Sequence, residues 1–232
     1  MTAEQSAPSI WMRPERAAVG RPAQRSRAEI TAAAVRIADR EGLDAVSMRR
    51  LGAELGTGAA SLYRYVETRE DLLDLMTDTA GGEYALPEPS GDWLADLVAV
   101  GEQSRAILRR HPWLASLALT RPVIGPKGIA LLEHVLAVLA THPADIGTKL
   151  EAFAMLNGIT VAFVQHELAG GSALQARNVA YLQHAATSGE HPRLAQLLSD
   201  GPPAPAEPAG RYRGILTRIL SGLLGPWPDR PN

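Results

Sequence analysis

The chain has 232 residues, of which 46% are hydrophobic and 21% are charged, and it contains no cysteine. This composition is that of an ordinary globular protein, and it excludes disulfides, thiol catalysis and zinc–thiolate sites. The formal net charge is −2, but residues 1–69 carry 11 Arg against 8 acids (+3) and residues 70–232 carry 12 basic against 17 acidic residues (−5). Such asymmetry is typical of a nucleic-acid-binding module on a neutral body, although ordinary surface variation also produces it.

The first 24 residues predict a flexible basic arm. They contain Pro8, Pro14, Pro22 and Gly20 without apolar periodicity, which disfavours a packed helix. Met1–Ile10 lacks the charged and then apolar order of a signal peptide. No apolar run in the chain reaches the roughly 18 to 20 residues that span a bilayer. We therefore expect a cytoplasmic protein without a membrane segment.

The next two elements are helices with clear start and stop signals, and the second of them is short. Apolar residues recur at helical spacing over 26–41, and Gly42 is placed to end that helix. Ser47 can cap a second helix with Met48, Leu51 and Leu55 on its inner face, and Gly56 can close it after about two turns.

A third and a fourth helix follow at once. Thr57 can cap a helix over 58–65 that turns Leu62 and Val66 inward. The run 68–71 (TRED) matches a capping box and starts the next helix. Two short helices joined by a tight glycine-containing turn form a helix-turn-helix, which the sequence predicts within a DNA-binding domain at 25–71.

The remainder predicts a helical body at 72–225, followed by a tail at 226–232. Prolines after His111, His142 and His191 punctuate it, because a residue before proline disfavours the helical conformation. The stretch 201–210 predicts a Pro-rich loop. Helices are expected near 91–110, 112–119, 126–141, 145–169, 174–187 and 211–224. The fold class is therefore all-α: a three-helix helix-turn-helix DNA-binding domain followed by a helical domain, to which the family resemblance described below assigns ligand binding and dimerisation.

In a helix-turn-helix, the second helix enters the major groove and its first residues meet the base edges. With Leu62 and Val66 inside, the residues between and before them are predicted to face solvent. Small residues at 58–60 let the backbone approach DNA, and hydroxyls can bond phosphates or bases. The predicted solvent-facing residues are Ala59, Ala60, Ser61, Tyr63, Arg64 and Tyr65.

The helix RAEITAAAVRIADREG and the run LDAVSMRRLGAELGTGAASLYRYVETREDLLDLM resemble the TetR family of transcriptional regulators. The body, through RRHPWLASLALTRP, resembles the C-terminal class of the tetracycline repressor. The resemblance implies a homodimer that binds a double-stranded DNA operator and responds to a small-molecule effector, with no enzymatic activity.

The resemblance also implies roles for individual residues. Arg49 would contact phosphate or a guanine edge, and Arg69 would stand where the family has a phosphate-binding lysine. Tyr65 stands at a position where histidine is the commonest residue in the family, and Glu67 stands where a basic residue is usual. Ala59, Ala60 and Ser61 would take the base-reading positions, and Tyr63 and Tyr65 would clamp the backbone.

Other functions are weighed against this one. The run 56–61 (GTGAAS) begins like a dinucleotide-binding loop, but it follows a helix and not a strand. The six histidines lie past residue 110 without metal-ligand spacing, and Leu117 stands near the metal-linked histidine of the tetracycline repressor's body, so neither a metal nor a cofactor is expected. A helical enzyme or lipid-binding protein would need convergent acid–base groups, and a structural adaptor would bind neither DNA nor small molecules.

The dimer and the effector pocket are both expected in the body. The segment 150–163 is apolar nearly all round, so several neighbours should bury it. The resemblance implies that 145–169 and 211–224 form a four-helix bundle between two copies. Each candidate pocket residue, taken alone, is more often plain core than a ligand contact. The candidates are Trp113, Leu117, Arg121, His134, Phe153, Asn157 and Phe163.

Overall fold

The structure, a computed structural model, describes residues 9–13, 25–120, 125–169, 173–201 and 208–225. Across those ranges it contains α-helices and two single-turn 3-10 helices but no strand, so the predicted all-α fold is confirmed. The α-helices are α1 (Arg27–Glu41), α2 (Met48–Leu55), α3 (Ala59–Leu62), α4 (Arg69–Gly81), α5 (Trp93–Arg110), α6 (Pro112–Thr120), α7 (Pro126–Val138), α8 (Ile146–Ala169), α9 (Ala173–Thr187), α10 (Pro192–Ser199) and α11 (Pro208–Leu224).

Helix α1 is the centre of the N-terminal domain. Its N-cap Ser26 accepts a hydrogen bond from the Glu29 backbone N–H at 3.1 Å, and the Ser26 backbone N–H donates one to the Glu29 carboxylate at 3.0 Å. This reciprocal capping box satisfies two N–H groups that a helix end otherwise leaves unpaired. The helix ends at Gly42, whose φ of 84° is the left-handed region. Helix α1 packs against α2 and α4 around fully buried Ile30 and Ile37.

The segment Ser9–Arg13 corrects the predicted flexible arm. Ile10–Met12 forms a 3-10 turn, and the Ile10 side chain is 1% exposed within the N-terminal core. The Arg27 guanidinium donates to the Arg13 carbonyl at 2.9 Å. The apolar pair Ile10-Trp11 supplies the burial that the arm's proline content obscured, because packing overrides local propensity.

Helices α5, α8 and α11 form the centre of the body. They pack against one another around a second core, which α7 also joins. The observed helices differ from the predicted ones at two helix ends and by one additional helix. Helix α7 ends at Val138, three residues early, and α11 begins at Pro208, three residues early. The sequence does not predict helix α10, because a proline usually marks the end of the preceding helix. Pro192 instead occupies the first position of a new helix, where its missing N–H costs nothing.

Helix α8 is covered on one side alone by its own chain. Leu156 and Val164 are fully buried against the body, whereas Ile146, Leu150 and Met155 are 61%, 43% and 48% exposed. The sequence predicts that several neighbours bury this helix, but within one protomer only one of its faces is buried.

In the described part of the chain, no helix combines the length and the hydropathy that a membrane crossing requires.

Candidate DNA-binding surface and effector region

The turn between α2 and α3 is built on two glycines. Gly56 ends α2 in the left-handed conformation at φ 63°, and the Thr57 N–H donates to the Gly52 carbonyl at 2.8 Å. A Cβ on Gly52 would lie 2.7 Å from the Thr57 carbonyl oxygen and 3.2 Å from the Ala59 nitrogen. Gly56 was expected from the sequence. Gly52 was not, because its role depends on the approach of α3 and not on a local stop signal.

Helix α3 begins one residue later than predicted and is shorter. Gly58 is its N-cap and no side chain caps it, so the expected cap at Thr57 is wrong. The α-helix ends at Leu62, whose carbonyl accepts from the Tyr65 and Val66 N–H groups at 2.9 and 3.1 Å. The tight turn that follows carries Tyr63–Tyr65 into the start of α4.

The predicted DNA-reading residues differ in exposure. Leu62 and Val66 are fully buried, as expected. The Tyr63 side chain is 50% exposed, while Ala60 and Arg64 are exposed and Ala59 and Ser61 half-buried. These residues can therefore contact DNA without unfolding the motif.

Tyr65 corrects the prediction of a solvent-facing tyrosine pair. Tyr65 is only 7% exposed, and it belongs to the N-terminal core. Its backbone carbonyl accepts from the Arg27 Nε at 3.0 Å. The turn after Leu62 breaks the helical rotation on which the prediction relied, so Tyr65 falls on the inner face. Its position ties α3 to α1, and the clamping role expected of it has no support from its exposure.

Two adjacent arginines of α2 have different environments. Arg50 pairs with Glu41 at 2.8 Å and with Glu54 at 3.0 Å. The hydrogen bond from Arg50 lowers the pKa of Glu41, so this network is held ionised at neutral pH. Arg49 is exposed and, in the described part of the chain, makes no ion pair or side-chain hydrogen bond. The guanidinium of Arg49 is therefore available to contact a phosphate or a base.

The start of α4 presents further charge. Thr68 and Asp71 form the predicted capping box, with Asp71 N–H donating to Thr68 Oγ1 at 3.0 Å. Arg69 is the first residue of the helix and is exposed. A helix N-terminus itself attracts anions, so Arg69 adds a formal charge to a favourable position.

Glu67, which stands where a basic residue is usual in the resembled family, pairs with an arginine of the N-terminal segment. Arg13 Nη1 lies 2.9 Å from Glu67 Oε2, and Arg13 Nη2 pairs with Asp71. The cation comes from 54 residues away in sequence. This pairing was missed because Arg13 was assigned to a flexible arm.

The predicted effector residues divide between the two cores. Trp113 is 5% exposed and Leu117 8% exposed, both in the N-terminal core cluster. Phe153 and Phe163 are half-buried and pack against the body core. His134 and Asn157 are half-buried on α7 and α8. Arg121 lies outside the described residues.

The region around Phe163 contains polar groups that the sequence did not reveal. The Tyr212 and Phe163 ring centroids are 5.1 Å apart, and the Arg105 guanidinium lies 5.6 to 5.7 Å from both. Arg105 donates to both Glu167 oxygens, at 3.1 and 2.5 Å. Burial raises the pKa of Tyr212 to about 12, so its hydroxyl is neutral and shares a 2.7 Å hydrogen bond with Thr160. These contacts join residues 49 to 107 positions apart, and no local signal marks them.

Two grooves of the described residues lie elsewhere. One of about 360 Å³ lies between α5 and α11 and includes the Arg213–Glu102 pair. One of about 530 Å³ lies between α9 and α10. The predicted pocket residues line neither groove. Among the described residues, no three His, Asp or Glu side chains are grouped so that they could hold a metal ion.

Comparison with known families and proteins points in one direction. Residues 30–76 match the family model for bacterial regulatory proteins of the tetR family, and residues 85–225 match the model for the tetracyclin repressor-like C-terminal domain. The chain is 36% identical over 208 residues to the HTH-type transcriptional repressor DrrR1 of Streptomyces coeruleorubidus, which covers 84% of this chain and 75% of that protein.

Solved structures show the same similarity. Apo ActR from Streptomyces coelicolor superposes with a TM-score of 0.75 at 30% identity, covering 87% of this chain and 96% of that one. ActR in complex with actinorhodin gives a TM-score of 0.74 with the same identity and coverage. Both similarities extend over the DNA-binding domain and the body together.

Proposed function

Because the chain belongs to the TetR family of transcriptional regulators, we propose that it is a repressor that binds a palindromic operator as a homodimer. A small, mostly apolar molecule would bind the body and release it. The observation that carries the DNA-binding part is the series of exposed residues from α2 to the start of α4. Arg49, Tyr63, Arg64 and Arg69 are all exposed there, on a helix-turn-helix whose buried residues hold it together.

The proposed contacts divide into two kinds. Ala59, Ala60 and Ser61 would approach base edges, where a small side chain can pack against a thymine methyl and a hydroxyl can bond a base. Arg49, Tyr63, Arg64 and Arg69 would contact phosphates or, for Arg49, a guanine edge. Phosphate contacts fix position and supply the salt-dependent share of the affinity.

The homodimer is supported by the uncovered face of α8. Ile146, Leu150 and Met155, at different positions around one long helix, expose large apolar side chains, and apolar exposure that one protomer leaves uncovered marks an interaction surface. A two-fold interface uses the same patch on both copies, with α11 as its neighbour in the bundle. Two recognition helices so related would read half-sites about 34 to 36 Å apart, or a multiple of that distance.

The effector region is proposed in the body between α5, α8 and α11. Phe153, Asn157 and Phe163 of α8 are half-buried there, and His134 is half-buried on α7, which joins the same core, so these four are the proposed ligand contacts. ActR, similar over most of this chain, has a structure in complex with actinorhodin. A mostly apolar interior with a few polar groups suits an organic molecule of limited polarity.

For domain bounds we propose 25–71 for DNA binding and 72–225 for ligand binding and dimerisation. Ser9–Arg13 belongs with the first domain because Ile10 is buried in its core and Arg13 pairs with its residues. The tail at 226–232 lies outside the described residues.

The experiment that tests the proposal is selection of bound duplexes from a random DNA pool by the full-length protein. The proposal predicts enrichment of a two-fold symmetric sequence. A thermal-shift screen of apolar metabolites and antibiotics then identifies binders, and each binder is added to the protein–operator complex. A compound that raises the melting temperature and releases the operator supports the effector role. Failure to enrich any sequence would refute operator binding, and stabilising compounds that never release DNA would refute sensing.

A further inference from the structure

His111 joins the DNA-binding domain to the body. It is the last residue before α6, is 4% exposed, and places its Nδ1 2.7 Å from Asp39 Oδ1 of α1. Its Nε2 lies 2.8 Å from Glu83 Oε1, two residues beyond the end of α4. One imidazole thus contacts two carboxylates from two different elements.

The geometry determines the protonation state of this imidazole. A neutral imidazole has one N–H, so it can donate to one carboxylate only and would turn a lone pair toward the other. Each carboxylate has a further partner: Trp113 Nε1 donates to Asp39 at 2.7 Å, and Arg110 pairs with Glu83. With both carboxylates ionised, both ring nitrogens must carry protons.

The surrounding charges agree with this assignment. Burial lowers the pKa of His111, but the hydrogen bonds and charges of Asp39 and Glu83 outweigh it and raise the pKa above the ordinary 6.5. From α1 the charged group facing the ring is Asp39, from the α4–α5 connection Glu83, and from α5 Arg110, whose contact is with Glu83. Helix α6 contributes the uncharged Trp113, whose ring centroid is 5.8 Å away.

The position of the pair matters for the orientation of the DNA-binding domain. Helix α4 runs directly from that domain into the body, where it packs against α7. Helix α6 provides a second connection, because Trp113 and Leu117 belong to the N-terminal core and Trp113 Nε1 donates to Asp39 of α1 at 2.7 Å. His111 adds a charged contact at the same place, since it joins Asp39 of α1 and Glu83 beyond α4 to the start of α6.

We propose that His111, as an imidazolium between Asp39 and Glu83, is a positioning residue that adds a charged contact to the packing between the helix-turn-helix and the body and so makes operator affinity depend on its protonation. This inference rests on the proposed function, since it concerns how a DNA-binding dimer holds its two recognition helices. Operator binding needs one separation of those helices, and loss of the charged His111 contact loosens the packing that selects it and shifts part of the population to others.

The direction of the pH effect follows from the raised pKa. The charged contact is complete below about pH 6.5, the ordinary value, and is lost as the pH rises through the raised pKa of His111. Residues 1–110 contain no histidine or cysteine, so no side chain of the DNA-binding domain has an ordinary pKa between 6 and 8. The α-amino group titrates there and is common to all variants.

The test measures operator affinity from pH 6 to 9 with the duplex that the wild-type protein enriches from a random pool. Wild-type affinity should fall across this range. His111→Gln should bind about fivefold or more weakly at pH 6 and should lack the wild-type pH step. His142→Gln is the matched control: this half-buried imidazole packs edge-on against Trp93 at 5.0 Å in the body, and its replacement should leave the step unchanged.

Two further measurements keep the proposal falsifiable if His111→Gln folds poorly. Nitrogen-15 NMR of the wild-type histidines should show one ring with both nitrogens protonated at pH 7. Glu83→Gln should move the step to lower pH, because it removes one charge that holds the proton. Parallel profiles for wild type and a folded His111→Gln would overturn the proposal, as would a neutral His111 at pH 7. Failure of the wild-type protein to enrich any duplex would instead refute the proposed function and leave the NMR result to decide the protonation.

Discussion

The helix ends of the DNA-binding domain are set by local contacts, although Arg13 and Glu67, 54 residues apart, also pair there, whereas the polar contacts at the centre of the body join distant residues. In the first, Ser26, Ser47 and Thr68 each cap a helix by accepting the N–H three residues on, and Gly42 and Gly56 end two of those helices. In the body, the decisive contacts join Arg105 to Glu167 and Thr160 to Tyr212, 62 and 52 residues apart.

The difference shows why the two regions carry different functions. A domain whose helices begin and end at local caps keeps those helices when its neighbours move, and a rigid helix-turn-helix suits DNA binding. A body held by long-range side-chain contacts has interfaces whose rearrangement can be coupled to a ligand. Experiments that interfere with each kind of contact should therefore separate stability from operator binding.

The largest expected effect comes from α8. Met155→Arg places a charge on the exposed apolar face, and in a two-fold dimer that charge is buried twice. An unpaired buried charge costs about 3 to 5 kcal/mol, so the dimer dissociation constant should rise more than about 100-fold. Sedimentation should show monomers with unchanged helicity and no operator binding. Glu133→Arg, the introduction of the same residue at an exposed position of α7, is the control. A wild-type protein that is monomeric at micromolar concentration would rule out the dimer.

The second effect compares two tyrosines two residues apart. Tyr65→Ala removes a side chain from the core and should lower the free energy of unfolding by about 3 kcal/mol or more. Tyr63→Ala removes a half-exposed side chain and should change stability by less than about 0.5 kcal/mol while weakening operator binding. Urea unfolding and a gel shift report the two quantities. Equal stability losses would mean that Tyr63, too, is a core residue.

These two tyrosines also show what the sequence could predict. The helix starts and stops of the first domain depend on residues within three or four positions, so they were predicted correctly for α1, α2 and α4. Tyr65 was misplaced because a turn replaces the helix after Leu62, and Ile10 because its partners lie far along the chain. Gly52, Arg105 and Tyr212 were missed because their roles exist only after distant elements pack.

A third comparison uses arginines of equal charge. Arg69→Ala should weaken binding to all DNA sequences and lower the slope of log affinity against log salt by roughly one. Arg50→Ala removes a cation already paired with Glu41 and Glu54, so its effect on that slope should be smaller. Fluorescence anisotropy across a salt series measures both. Identical slopes for wild type and Arg69→Ala would remove Arg69 from the phosphate contacts.

The smallest expected effect concerns a single cap. Ser26→Ala should cost about 1 kcal/mol of stability, because the N–H groups at the start of α1 lose their partner. Ser199→Ala, on an exposed serine at the end of α10 that bonds the Ala195 carbonyl, should cost less than about 0.5 kcal/mol. Thermal unfolding of both variants measures the difference. A Ser199 loss as large as the Ser26 loss would contradict the contrast between the two regions.

The central claim, that two copies of this helix-turn-helix read one operator, is tested most directly by hydroxyl-radical footprinting on the selected duplex. The account predicts two protected patches related by a two-fold axis, with centres about 34 to 36 Å or a multiple apart. Arg69→Ala should weaken both patches equally. A single protected patch, or two patches without symmetry, would contradict it.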